Sequence, residues 1–149
     1  MLATAFAAPI AIGAGVLAWR LSLAQEVVVP GRPATADGRR QCAALISALP
    51  DSLGTLNRRT VRGDQQSTAA WGDPPVGLKC DAPRPAGAVG EVINVDGVDW
   101  VPAPDATGVS WTTAGRRLTV LVRFPKRYDS QGPLLARLSP AVRRAVPVG

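Results

Sequence analysis

An uncharged apolar run, Met1–Trp19, opens the chain and is the feature that most constrains its folding. As a helix rising about 1.5 Å per residue, this run would span roughly 28 Å, close to the roughly 30 Å of hydrocarbon in a bilayer. Trp19 and Arg20 then fall where an indole ring and a guanidinium mark the boundary between lipid and water. The sequence therefore predicts a segment over residues 1–24 that engages a membrane.

Two fates of this segment stay open. Ser22-Leu23-Ala24 has small residues at the two positions that a signal peptidase reads, so cleavage would make Gln25 the mature N-terminus. The apolar run is longer than the usual about 7–15 residues of a signal peptide, and no Lys or Arg precedes it. We expect either a single-pass anchor or a secreted protein, in both cases with the following domain outside the cytoplasm.

Cys42 and Cys80 are the only cysteines of the chain, and a domain outside the cytoplasm is one where they can pair. Their bond would close a loop of about 39 residues and remove roughly 4 kcal/mol of unfolded-chain entropy. Redox-active dithiols usually sit two residues apart, which these cysteines do not. The spacing favours a structural disulfide.

One domain of ordinary size follows the leader. Pro30, Gly31 and Pro33 predict an extended spacer over residues 25–37, and residues 38–149 then form the domain. Asp37 is placed to cap its first helix, which Pro50 ends. That helix buries one face, because its apolar residues recur at i, i+3, i+4 and i+7: Cys42, Leu45, Ile46 and Leu49.

Two hairpins are predicted further along the chain. Asp96-Gly97 is typical of a two-residue type I′ turn, which pairs Val95 with Val98 and Ile93 with Trp100. A second turn at Ala114-Gly115 would set Trp111 against Leu118 and Val109 against Val120.

Beyond Tyr128 the pattern predicts two short helical pieces, and Ser139-Pro140 starts the second of them. Together these elements predict an α+β fold. An antiparallel sheet of four or five strands would pack against an N-terminal and a C-terminal helix.

Catalytic chemistry finds little support in the sequence. The chain has no histidine, which excludes Ser-His and Cys-His nucleophiles and imidazole metal sites. Asp73, Asp96 and Asp99 are the candidate carboxylates for acid-base or calcium chemistry. Asp96 is explained by its turn, Asp99 by pairing with Asn94, and Asp73 by the bend before Pro74. We expect no enzyme, cofactor or metal; the alternative, an enzyme acting on cell-wall polymers, requires Asp73 and Asp99 in one cleft.

Binding residues are easier to nominate. Arg58, Arg59 and Arg62 form a local basic cluster that could meet an anionic lipid or wall polymer, or lie as a solvated loop. Trp71 could stack on a ligand or close the core over the disulfide. The net charge is +6, but the basic residues are scattered and lack the fold signature of a nucleic-acid binder.

Several spaced motifs resemble one family. They are Cys42-Ala43-Ala44-Leu45, Thr68-Ala69-Ala70-Trp71-Gly72-Asp73-Pro74-Pro75, Leu78-Lys79-Cys80, Gly97-Val98-Asp99-Trp100-Val101, Thr112-Thr113-Ala114-Gly115-Arg116 and Leu138-Ser139-Pro140-Ala141-Val142. Across residues 38–147 the chain is similar to actinobacterial envelope proteins classed as domain of unknown function 3515. That resemblance implies single-pass or secreted proteins and matching cysteine positions, but no activity and no catalytic residues.

The sequence therefore leads to one working hypothesis. We expect a non-catalytic, membrane-tethered domain that serves the cell envelope by binding. Its partner would be an envelope protein, an anionic lipid or a wall polymer.

Overall fold

The computed structural model describes residues 25–88 and 90–149, so the membrane-engaging segment predicted over residues 1–24 lies outside them. In chain order the elements are β1 (Val27–Val28), α1 (Arg39–Ala48), β2 (Ser52–Leu53), β3 (Leu56–Arg59), β4 (Val61–Arg62), β5 (Thr68–Trp71), β6 (Val76–Cys80), β7 (Ile93–Val95), β8 (Val98–Asp105), β9 (Gly108–Thr113), β10 (Val120–Pro125) and α2 (Gly132–Ala145).

Eight strands form one sheet in the order β2-β3-β5-β6-β10-β9-β8-β7, and every neighbouring pair is antiparallel. β1 and β4 form a separate parallel pair. The predicted α+β class with two helices is confirmed, but the predicted number of four or five strands is wrong. The missed strands lie mostly between residues 52 and 71, where β2 is very short and β5 is buried along its whole length, so neither shows an alternating pattern.

Helix α1 packs against the sheet and is joined to β6 by a disulfide. Cys42 and Leu45 are fully buried, as their spacing predicted, and the predicted Cys42–Cys80 disulfide is present with an S–S distance of 2.06 Å. The prediction that Asp37 caps this helix is wrong. Gly38 occupies the N-cap position, and its N–H donates instead to Thr35 Oγ1 at 3.1 Å.

The Asp96-Gly97 hairpin has the predicted register. Val95 pairs with Val98, Asn94 with Asp99 and Ile93 with Trp100. Both turn residues have positive φ, 47° and 76°, as a type I′ turn requires.

The second hairpin has a different register from the predicted one. Trp111 pairs with Val122, and Val109 pairs with Phe124. A wider connection joins the strands because the C-terminal residues bond to it: Arg117 N–H donates to Pro147 O, and Gly149 N–H donates to Gly115 O.

Helix α2 is continuous, although two helical pieces were predicted. Pro140 lies inside it, and Ser139 is not an N-cap. The Ser139 hydroxyl donates to Leu135 O at 2.9 Å and accepts from Trp100 Nε1 at 3.3 Å. Proline inside a helix costs about 3 kcal/mol, and the packing of the fully buried Leu135 and Leu138 offsets that cost here.

The sheet has two faces that are covered differently. The inner face packs against α1 and α2 and carries the main core. The outer face is covered by residues 25–35, which we call the strap, on the side of β5 and β6. On its other side Ala88 packs against Val101 and Ala103.

Candidate functional site

A groove with a volume of about 340 Å³ opens on the outer face of the sheet. The strap forms one of its walls with residues 27–30. The floor and the opposite wall are formed by outward-facing residues of the sheet and by the residue just before it: Pro75, Gly77, Ser110, Leu121 and Arg123. We call this feature the valine groove.

The floor of the groove is open because few side chains of the strands face it. β10 turns Val120, Val122 and Phe124 to the inner face, so Leu121 and Arg123 point outward. Gly77 contributes no side chain. A Cβ at this position would lie 3.5 Å from the two methyl groups of Val29, which is ordinary van der Waals contact.

Arg123 gives the groove one polar edge. Its Nη2 donates to Asp105 Oδ1 at 2.8 Å and to the Thr107 hydroxyl, and its Nη1 donates to Ser110 Oγ at 3.3 Å. The hydrogen bond from Arg123 holds the pKa of Asp105 well below its ordinary value, and bonds from Thr107 act in the same direction. The guanidinium is therefore fixed at the wall of the groove, with its side chain 27% exposed.

The strap is fastened to the domain along its length. Val27 pairs with Val61, and Arg59 Nη2 donates to Gln25 O at 2.9 Å. Arg62 Nε donates to Glu26 Oε2 at 2.9 Å. The point where residues 1–24 join the domain is thus held beside β3 and β4.

A buried polar cluster secures the middle of the strap. Lys79 and Ser67 are 3% and 1% exposed, and Lys79 Nζ donates to Ser67 Oγ at 3.0 Å. Asp64 Oδ2 accepts from Ser67 Oγ and from Ala34 N–H and lies 3.7 Å from Lys79 Nζ. The hydrogen bond from Ser67 lowers the pKa of Asp64, helped by Ala34 and Lys79 and opposed by burial.

This cluster was not predicted from the sequence. The available signal was Lys79 itself, a charged residue inside the apolar run Val76–Cys80. A lysine in such a run is buried only when a counter-charge reaches it. The partner came from the loop before β5, which no local pattern connects to β6.

The three nominated arginines do not form one free cationic surface. Arg58 and Arg59 are adjacent in β3 and so point to opposite faces. Arg58 donates to the α1 carbonyls of Ile46 at 3.3 Å and Leu49 at 3.4 Å, and burial lowers its pKa while Asp51 opposes the shift. The other two arginines hold the strap, as described above.

Trp71 is fully buried in the main core. Its Nε1 donates to Pro50 O at 3.0 Å, and the Arg58 guanidinium lies 5.4 Å from its ring centroid. This contact between a cation and an aromatic face joins β3 to β5, and the hydrogen bonds of the same two side chains hold both strands at the end of α1. The ring is therefore not exposed on a loop where a ligand could stack.

The candidate carboxylates are not brought together. Asp73 is exposed in the turn between β5 and β6, at the end of the sheet that also holds Asp105. Asp99 lies at the opposite end, where it accepts from Asn94 Nδ2 at 2.7 Å. Asp96 lies there too, 3.6 Å from Arg143 Nη1. The shared cleft that the enzyme hypothesis requires is not formed by Asp73 and Asp99.

None of the helices in the part of the chain that the structure describes combines the length and the apolarity needed to cross a bilayer. Within residues 25–88 and 90–149, no three of the residue types His, Cys, Asp and Glu are grouped so that they could hold a metal ion.

Comparison with known proteins places the chain in one family. No curated protein and no solved structure matches it. A family model matches residues 1–149 and so confirms the family assignment, domain of unknown function 3515, that the spaced motifs predicted. The chain belongs to the family described as Protein of unknown function (DUF3515).

Proposed function

We propose that this chain is a non-catalytic domain held at the outer surface of the cell membrane, where it serves the envelope by binding a partner in the valine groove. One observation carries the proposal. The strap that continues from the apolar leader is also the wall of the groove, so the tether and the candidate binding surface are a single structure.

The short connection to the leader supports this arrangement. Four residues lie between Arg20 and Gln25, so these two positions are at most roughly 18 Å apart when the chain is fully extended. The Gln25 carbonyl accepts a hydrogen bond from Arg59, so the strap is fixed to the domain at its first residue and does not lengthen the connection. If Arg20 marks the lipid boundary, Pro75 and Val28 at the near end of the groove lie close to the headgroups.

The disulfide supports the proposed compartment. Cys42 and Cys80 are both fully buried and bonded to each other, and such bonds persist in oxidising environments outside the cytoplasm.

A topology experiment tests the location. Val148 is 71% exposed at the end of the sheet far from Gln25, so Val148→Cys offers an accessible thiol. In intact cells we expect a membrane-impermeant maleimide to label this variant without lysis. Labelling that requires lysis would contradict the proposal, and the unsubstituted chain, whose cysteines are bonded, is the control.

A photo-crosslinking experiment in the same cells tests the binding surface. A photoreactive residue at Val28, which is 65% exposed in the groove, should give adducts that the same residue at Val148 does not. Gly77→Val narrows the groove and should abolish the Val28 adducts. Adducts of equal yield at both positions, or adducts that persist with Gly77→Val, would contradict binding in the groove.

A further inference from the structure

We infer that the valine groove receives an acyl chain of an anionic membrane lipid, with the headgroup against Arg123. This inference rests on the proposed function and names its ligand. It follows from the polarity of the groove, its direction and the place where the leader joins the domain.

The direction of the groove follows from the strand register. Pro75 lies just before β6, at the end of the sheet near the turn that follows β5. Arg123 pairs with Gly77 and Leu121 pairs with Lys79, so Leu121 lies two residues farther from that end. A molecule entering beside Pro75 would therefore pass Arg123 first and reach Leu121 afterwards.

The lining matches a lipid placed in this direction. Valine, proline and leucine side chains line most of the groove, and apolar surface of this kind is suited to methylene groups. Among the described residues, no aromatic ring lines it, so these residues offer no stacking platform for a sugar or a base. Its volume of about 340 Å³ is near the lower limit for ligand pockets, enough for part of one acyl chain.

The guanidinium of Arg123 is the charged group of the groove lining that an anionic headgroup would meet. Arg123 is paired with Asp105, which offsets part of its charge. Lys126 and Arg127 follow β10 at the same end of the sheet, and both are exposed. Asp73 and Asp129 are exposed nearby in the chain, so together with Asp105 they balance these three cations in number. The attraction of a headgroup therefore depends on the guanidinium at the groove wall itself and not on an excess of positive charge.

Lipid is favoured over two other occupants. The leader could fold back into the groove only by reversing direction at Gln25, next to a carbonyl that Arg59 already holds. A second copy of the chain would have to reach a surface close to the bilayer. The membrane itself, by contrast, lies within the roughly 18 Å reach of the residues between Arg20 and the strap.

The test uses the full chain reconstituted in vesicles of phosphatidylglycerol or of phosphatidylcholine, each carrying an alkyne-tagged lipid of the same headgroup. A photoreactive residue replaces Val28, and Asp73 is the matched position at the same end of the sheet but outside the groove lining. We expect tagged phosphatidylglycerol at Val28 in several-fold excess over Asp73. An equal yield at both positions reflects proximity to the bilayer alone and would overturn the inference.

Three substitutions, one of them a control, sharpen the result. Gly77→Val should remove the excess at Val28, whereas Gly132→Val, at an open position on α2, should leave it unchanged. Arg123→Gln should reduce the preference for phosphatidylglycerol over phosphatidylcholine by about fivefold, the contribution of one cation near an anionic surface. Thermal unfolding of each variant identifies loss of fold. An undiminished excess with Gly77→Val, or an unchanged preference with Arg123→Gln in a folded protein, would overturn the inference.

The identity of the molecule crosslinked at Val28 also tests the lipid inference. Mass spectrometry that finds the Val28 adduct on residues 1–24, or on a second copy, would overturn the lipid inference. The proposed function would survive that result if the adducts in cells still depended on Gly77. It would fail separately if Val148→Cys were labelled only after lysis.

Discussion

The two faces of the sheet are covered by different kinds of structure. The inner face is closed by two helices and a disulfide, and its large side chains, among them Trp71, Trp100 and Phe124, are fully buried. The outer face is closed by an extended strap and a loop, includes a buried lysine and leaves a groove open. The difference indicates that stability is concentrated on the inner face, which leaves the outer face available for the proposed binding.

The largest expected effect on stability comes from the inner face and is tested with two residues of β10, one on each face of the sheet. Phe124→Ala should lower the free energy of unfolding by about 3–5 kcal/mol, because it leaves a cavity in the inner core. Leu121→Ala, on the half-exposed outer face, should cost less than about 1 kcal/mol. Denaturant unfolding of the full chain in detergent micelles measures both, and equal losses would remove the contrast between the faces.

The disulfide is the second test of the inner face. Replacing both Cys42 and Cys80 by Ala should cost about 4 kcal/mol, because the bond closes a long loop of the unfolded chain. The same unfolding experiment with added reductant should destabilise the natural chain by a similar amount and leave the double variant unchanged. A reductant effect on the double variant would show that the loss has another cause.

The third test concerns the polar cluster under the strap. Asp64→Asn should cost about 2 kcal/mol, because it removes the counter-charge of the buried Lys79 ammonium. Adding Lys79→Met should recover part of that loss, since no buried charge then remains. A double variant whose loss equals the sum of the two single losses would show that the two groups do not interact.

The smallest expected effect is a dependence on pH. The pKa of Asp64 is lower in the folded chain than its unfolded value of about 3.9, so its contribution to stability is present above that value and is lost as the pH falls through the folded pKa. Urea unfolding at about pH 6 and about pH 3 should therefore show a smaller loss for Asp64→Asn than for the natural chain. Asp73→Asn, which removes one exposed carboxylate from the same chain, is the matched control, and an equal change in the two variants would contradict this role of Asp64.

Local chemistry explains which parts of the fold the sequence predicts. The Asp96-Gly97 turn and its register follow from two residues that accept positive φ between alternating strands. The buried face of α1 follows from its spacing, and the disulfide from two cysteines in a chain expected outside the cytoplasm. The turn and the helix face are decided by residues close in the chain. The disulfide is decided by there being no other cysteine with which either one could pair.

Distant contacts explain the parts that were missed. The register of β9 against β10 depends on the C-terminal residues that bond to the connection between these strands. Pro140 stays inside α2 because the helix packs on a sheet formed earlier in the chain. The groove could not be predicted either, since its walls come from the strap, β6, β9 and β10, and only the folded topology brings them together.

The place where the strap begins has a consequence for how the protein could be processed. Cleavage after Ala24 would remove none of the strap contacts described here, because the first of them involves Gln25. A released form and an anchored form would thus share one fold and one groove. Trimming the chain back to Gly38, by contrast, would uncover Ala70 and Lys79 and remove the groove wall, and it would also take away Thr35, which accepts hydrogen bonds from Gly38 N–H and Arg39 N–H at the start of α1.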